Sequence, residues 1–132
     1  MNTFLEFHHV GCIVDDIDES VMLHQQVHQG SVHPKIFIAS QQVTICFVEL
    51  AKGAYLEFVQ ASGEDSVIHG LKKKKISYYH LGYKVADFDI AIADLERLDY
   101  KLINTFNSEA FEGRRCAFML TPDLRLIELI EK

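Results

Sequence analysis

The sequence predicts an α+β fold built from two copies of one βαβββ module. Two observations carry this. The stretch "HHVGCIVDDID" at residues 8–18 is echoed by "YHLGYKVADFD" at residues 79–89. His9 matches His80, Gly11 matches Gly82, Val14 matches Val85, Asp16 matches Asp87 and Asp18 matches Asp89, at a constant offset of 71 residues (80 − 9). Each copy is then followed by the same order of patterns, one helix-like and three strand-like. A period this long is not that of a stacked repeat; it marks a duplicated half-domain.

In the first copy, residues 4–14 alternate as a strand. Asp15, Asp16 and Asp18 follow. Short acidic side chains accept the orphan N–H groups of a helix start and suit its positive dipole end. The helix is expected over 17–29, with Gly30 as its stop. Strand-like runs cover 32–39, 43–50 and 54–61, and Lys52-Gly53 supplies the last turn. A polar connector, 62–76, has room for a short helix over 66–73. The second copy is expected as a strand over 77–86, a helix over 88–98 presenting Ala91, Leu95 and Leu98 on one face, and strands near 100–106, 115–121 and 125–131. Thr121-Pro122-Asp123 reads as a turn.

The chain of 132 residues is expected to be a single domain: module one over about 4–61, the connector, then module two over about 77–131. No apolar run approaches the ~20 residues of a membrane span, and no basic start precedes an apolar core. Cys12, Cys46 and Cys116 are odd in number and widely spaced, which fits neither a zinc ribbon nor a disulfide framework and points to a cytoplasmic setting. A net charge of −6 argues against nucleic acid as a partner. The run Lys72–Lys75 reads first as a solvated helix end and second as a basic rim for a phosphate-bearing ligand.

Strand alternation turns His9 and Gly11 to one face and Val10, Cys12 and Val14 to the other; His80 and Gly82 repeat this. The last strands of the copies, "YLEFVQ" and "LIELIE", each set one carboxylate, Glu57 or Glu128, among apolar neighbours. A carboxylate in such a strand is costly to bury unless paired or bound to a cation. The spacings agree: 57 − 9 and 128 − 80 are both 48. His9, Glu57, His80 and Glu128 are therefore the candidate ligands of one divalent ion, with Mn, Co, Ni, Fe and Zn all compatible. His24 and His28 stand i,i+4 on the first helix without an acidic or third ligand, and read as an exposed face. His8 points away from His9. His33 and His69 follow no pattern, and Cys116 reads as a packed thiol.

A duplicated βαβββ chain with His, Glu, His and Glu on its first, fourth, fifth and eighth strands resembles the vicinal oxygen chelate superfamily. That superfamily includes glyoxalase I, extradiol dioxygenases, bleomycin-resistance proteins and methylmalonyl-CoA epimerases. The stretches "QQVTICFVEL", "AYLEFVQ", "GEDSVIHGLKKKKISYYHLGYKVADFD" and "LIELIEK" are most similar to the epimerase subgroup. The resemblance implies a cupped, mixed eight-stranded sheet around a central site. It implies metal binding by His9, Glu57, His80 and Glu128, two cis positions left for substrate or water, and a homodimer. The chain departs from the subgroup at Tyr79, where a second His is usual before His80, and at Ile45, where some epimerases carry an extra Glu.

The expected activity is that of a metal-dependent isomerase. It would remove a proton alpha to a carbonyl through a metal-stabilised enolate, with Glu128 and Glu57 as the catalytic acids and bases. An acyl-CoA thioester is a candidate substrate. The alternatives are a glyoxalase I-like lactoylglutathione lyase, which uses the same four ligands, and a non-catalytic small-molecule-binding protein of the bleomycin-resistance type. Extradiol chemistry fits less well, because it needs a three-ligand site.

Overall fold

The computed structural model describes residues 4–132. The fold is α+β, and the two βαβββ modules are present. In chain order the elements are β1 (Glu6–Ile13), α1 (Ile17–Gln25), β2 (Ile36–Ile38), β3 (Val43–Ala51), β4 (Ala54–Ala61), α2 (His69–Lys73), β5 (Tyr78–Val85), α3 (Phe88–Arg97), β6 (Lys101–Ser108), β7 (Arg114–Leu120) and β8 (Leu126–Glu131). A 3-10 turn, Glu109–Phe111, joins β6 to β7. Among the described residues, no helix is long and apolar enough to cross a membrane.

Contacts divide the chain into two compact units. One is His9–Tyr79; the other joins the described residues through His8 to His80–Lys132. In the first unit the strand order is β2-β3-β4-β1, with β1 parallel to β4 and the other pairs antiparallel. In the second the order is β5-β8-β7-β6, with β5 parallel to β8. The echo seen in the sequence is thus an echo of ladders. Gly11 pairs with Glu57, and Gly82 pairs with Glu128.

The helices begin where the aspartates place them. Asp16 accepts from the N–H of Asp18 at 2.9 Å and caps α1; Asp87 accepts from the N–H of Ile90 at 3.1 Å and caps α3. In the second unit, Phe88, Ala91, Ile92 and Leu95 of α3 pack on Val85, Ala117, Met119, Ile127 and Leu129. In the first, Ile17 of α1 lies on Cys12, Cys46, Val48 and Phe58. Each core uses one strand face, which leaves the residues of alternate parity, including the His and Glu, on the other.

Three expectations change. The helix expected over 17–29 ends at Gln25. Met22, Leu23 and Val27 are exposed, so later turns would bury too little to hold themselves. Gly30 is not its stop: a Cβ there would lie 2.0 Å from the Glu49 carbonyl oxygen, so close approach of two backbones requires the glycine. The strand expected over 32–39 shrinks to β2, with one isolated bridge from Val32 to Val48. Pro34 lies between them and has no N–H for a ladder. The connector helix covers only His69–Lys73, because Ser66 turns the chain first, accepting from the Ile68 N–H at 3.3 Å.

Candidate metal centre

Each unit holds one histidine and one glutamate in contact. In the first, His9 Nε2 lies 3.6 Å from Glu57 Oε1; in the second, His80 Nε2 lies 3.5 Å from Glu128 Oε1. All four side chains are buried, His9 completely. These separations are too long for the contact itself to be a hydrogen bond. They suit two donors on one ion: bonds of about 2.1 Å place cis or tetrahedral ligands about 3–3.5 Å apart. The donor set also fits. Imidazole nitrogen and carboxylate oxygen together suit first-row divalent ions, and a cation would offset the cost of keeping each carboxylate out of water.

The pairing follows from local structure. Glu57 stands on β4 between Leu56 and Phe58, which face α1, so its own side chain takes the opposite face. On β8, Ile127 and Leu129 belong to the α3 core and Glu128 projects away from it. Across each parallel ladder the residue beside the glutamate is a glycine, which adds no side chain to the carboxylate's surroundings.

A third member of each set was not singled out from the sequence. Phe47 stands opposite Glu57 in the β3–β4 ladder, and its ring meets His9 edge-on at 5.4 Å. Phe118 stands opposite Glu128 in the β7–β8 ladder, and its ring meets His80 edge-on, also at 5.4 Å. The two phenylalanines are again 71 residues apart (118 − 47), so the repeat offset was the signal that could have found them. An aromatic edge against each imidazole limits its rotation and keeps water from that side.

The other candidates belong to neither pair. His24 is not on an exposed face: it is buried, stacked on exposed His28 at 4.4 Å and edge-on to Phe58 at 6.3 Å. Ile17, Val21 and His24 follow a helical stripe, so His24 falls on the core side of α1. His8 meets Phe111 at 5.5 Å, and His33 meets Tyr55 at 5.3 Å. Cys116 is fully buried, and burial raises the thiol pKa values of Cys12 and Cys46. Ile45 is buried. Lys72 lies 3.5 Å from Asp15 in an exposed ion pair.

No curated protein is matched by the sequence. Among solved structures, methylmalonyl-CoA epimerase from Mycobacterium tuberculosis is similar at 20% identity and a TM-score of 0.85, covering 99% of this chain and 91% of that one. A hypothetical protein from Bacillus halodurans C-125 is similar at 21% identity and a TM-score of 0.84, covering 100% and 96%. A Streptomyces coelicolor methylmalonyl-CoA epimerase variant, in complex with 2-nitronate-propionyl-CoA, is similar at 21% identity and a TM-score of 0.82, covering 98% and 99%. These likenesses are of fold. A family profile described as Glyoxalase/Bleomycin resistance protein/Dioxygenase superfamily matches residues 7–118. By that match, the chain belongs to the glyoxalase/bleomycin resistance protein/dioxygenase superfamily.

Proposed function

We propose that His9, Glu57, His80 and Glu128 together hold one divalent ion, and that the protein is an isomerase removing a proton alpha to a carbonyl, in the manner of a methylmalonyl-CoA epimerase. The observation that carries this reading is the twofold recurrence of one buried unit: a His 3.5–3.6 Å from a Glu, with a Phe edge-on to the His. His9, His80 and Glu128 each bury a donor atom of the kind such an ion takes. Membership of the superfamily and the fold likeness to solved epimerases, one of them in complex with an acyl-CoA analogue, support the same reading.

A divalent ion here would act as a Lewis acid on the substrate carbonyl and make the alpha proton more acidic. The rest falls to the chain's own residues. Glu128 is the base for one face of the alpha carbon, and Glu57 carries the proton for the other. Inversion needs removal on one face and delivery on the opposite face, which two acids from repeated modules supply. Ile45 is buried and offers no carboxylate, so Glu57 is the acid this reading assigns to module one. Phe47 and Phe118 fix the imidazoles and exclude water from their sides, which keeps each carboxylate's proton for the substrate. The substrate is a small molecule, with an acyl-CoA thioester as the first candidate. We further propose a single-domain chain that works as a cytoplasmic homodimer.

The test is solvent-deuterium exchange into 2-substituted acyl thioesters and hemithioacetals by metal-loaded protein. Exchange that vanishes on chelation is expected. Glu57→Gln is expected to exchange one stereoisomer without inverting it. No exchange into any thioester would overturn the epimerase reading, whereas turnover of hemithioacetals alone would assign glyoxalase-type chemistry.

A further inference from the structure

The two modules differ in what lies beside their phenylalanines. Phe47 is buried, with Tyr55 edge-on at 6.1 Å. Phe118 is only partly buried, and Phe106 of β6, also partly buried, stacks on it at 5.4 Å with 28° between the rings. The register shows that this second ring is new to module two. Phe106 pairs with Cys116, and the residue 71 positions before Cys116 is Ile45, whose partner is Ile36. Module one therefore has an isoleucine where module two has a phenylalanine. Within the second unit, a run of ring contacts, stacked and then edge-on, leads from the edge strand β6 to the His80–Glu128 pair.

We propose that Phe106 and Phe118 form a specificity platform. It would receive a planar, apolar group carried by the substrate next to its chelating oxygens. Two features argue for a ligand rather than packing alone. Partial exposure leaves aromatic surface for a third ring, and offset stacking favours a planar guest over water. The inner ring also stands directly opposite Glu128 in the ladder, so a group lying on it would flank the carboxylate assigned to proton transfer. This inference rests on the metal-site reading above. It deepens that reading by assigning the substrate an aryl or other unsaturated substituent close to the reacting carbon.

The probes are two bidentate chelators, acetohydroxamic acid and phenylacetohydroxamic acid, titrated calorimetrically into zinc-loaded protein. The wild type is expected to prefer the phenyl compound about tenfold, the scale of one good aromatic contact plus its buried area. Phe106→Ala should reduce that preference to about twofold, Phe106→Leu should leave an intermediate value, and Phe106→Tyr should retain it. In NMR spectra, phenylacetohydroxamate should give contacts to the Phe106 and Phe118 ring protons. Binding of both hydroxamates with equal affinity, or a preference unchanged in Phe106→Ala, overturns the platform while leaving the metal site standing. Failure of both hydroxamates to bind zinc-loaded protein, or failure of zinc to bind, overturns the metal-site reading and the platform with it.

Discussion

Phe47 stands directly opposite Glu57 across the β3–β4 ladder and places its ring edge on His9 at 5.4 Å. The ring therefore touches one of the candidate ligands and is itself buried, with Tyr55 edge-on at 6.1 Å. Phe47→Ala should destabilise the protein by about 3–5 kcal/mol, the transfer loss plus the cavity left behind. Phe47→Leu should cost less in stability. Urea unfolding measures both, and near-equal midpoints for wild type and Phe47→Ala would show that the ring is not part of the packing.

Removing one carboxylate should show in the metal. Glu128→Gln and His9→Ala should each reduce bound divalent ion sharply. A chelator should lower the melting temperature of the wild type by about 10 °C if the ion is present at about a hundredfold its dissociation constant. Elemental analysis and thermal scans read the two effects. Equal metal stoichiometry in both variants would remove the four-ligand assignment.

Gly30 is held by geometry and not by helix termination. A Cβ at this position would meet backbone, the Glu49 carbonyl oxygen, at 2.0 Å. The chain there is also tied by the Glu49 N–H donating to the Ser31 carbonyl at 2.9 Å. Gly30→Ala should destabilise by about 1–3 kcal/mol or more, because neither backbone segment can yield cheaply. An unchanged denaturation midpoint would contradict this close approach.

His24 is buried, and its Nε2 has no hydrogen-bond partner among the described residues. Its neighbours, the His28 and Phe58 rings, offer stacking and edge contacts. Replacing an unsatisfied buried polar group by an apolar one relieves its desolvation cost. His24→Leu should therefore raise stability by about 1 kcal/mol in urea unfolding. A fall would show that the imidazole contributes more through its ring contacts than it costs.

Arg115 ties three elements together at the surface of the second unit. It donates to Asp89 at 3.0 Å and to Glu131 at 2.8 Å, and lies 4.8 Å over the Phe88 ring. The hydrogen bond from Arg115 holds the Glu131 carboxyl below its ordinary range. A pKa lower in the folded state than in the unfolded one contributes stability above the ordinary glutamate range, and this is lost as pH falls through the lowered value. Arg115→Met should lower stability at neutral pH and flatten its loss across the acidic range. Melting curves between pH 3 and 7, at low and high salt, check both, since exposed pairs weaken with screening.

Much of this protein was legible in the sequence because the repeat carries its own control. One histidine inside a strand says little, but His9 and His80 with Glu57 and Glu128 at equal spacing specify which strand faces must match. Asp16 and Asp87 likewise marked both helix starts, since capping needs only a short side chain and the next few N–H groups. What local pattern could not decide was every feature set by another part of the chain. Gly30 answers to Glu49, and β2 is short because Pro34 interrupts its pairing with β3. Phe47 and Phe118 reach the histidines only through ladders whose register is a tertiary property. His24 read as surface because no acidic or third ligand accompanies the His24–His28 pair, although helical spacing places it on the stripe with Ile17 and Val21. The sequence by itself determined the modules, their caps and the four candidate ligands. The tertiary structure decided which aromatic rings stand beside those ligands, because the packing of neighbouring strands, and not their own composition, sets what each side chain meets.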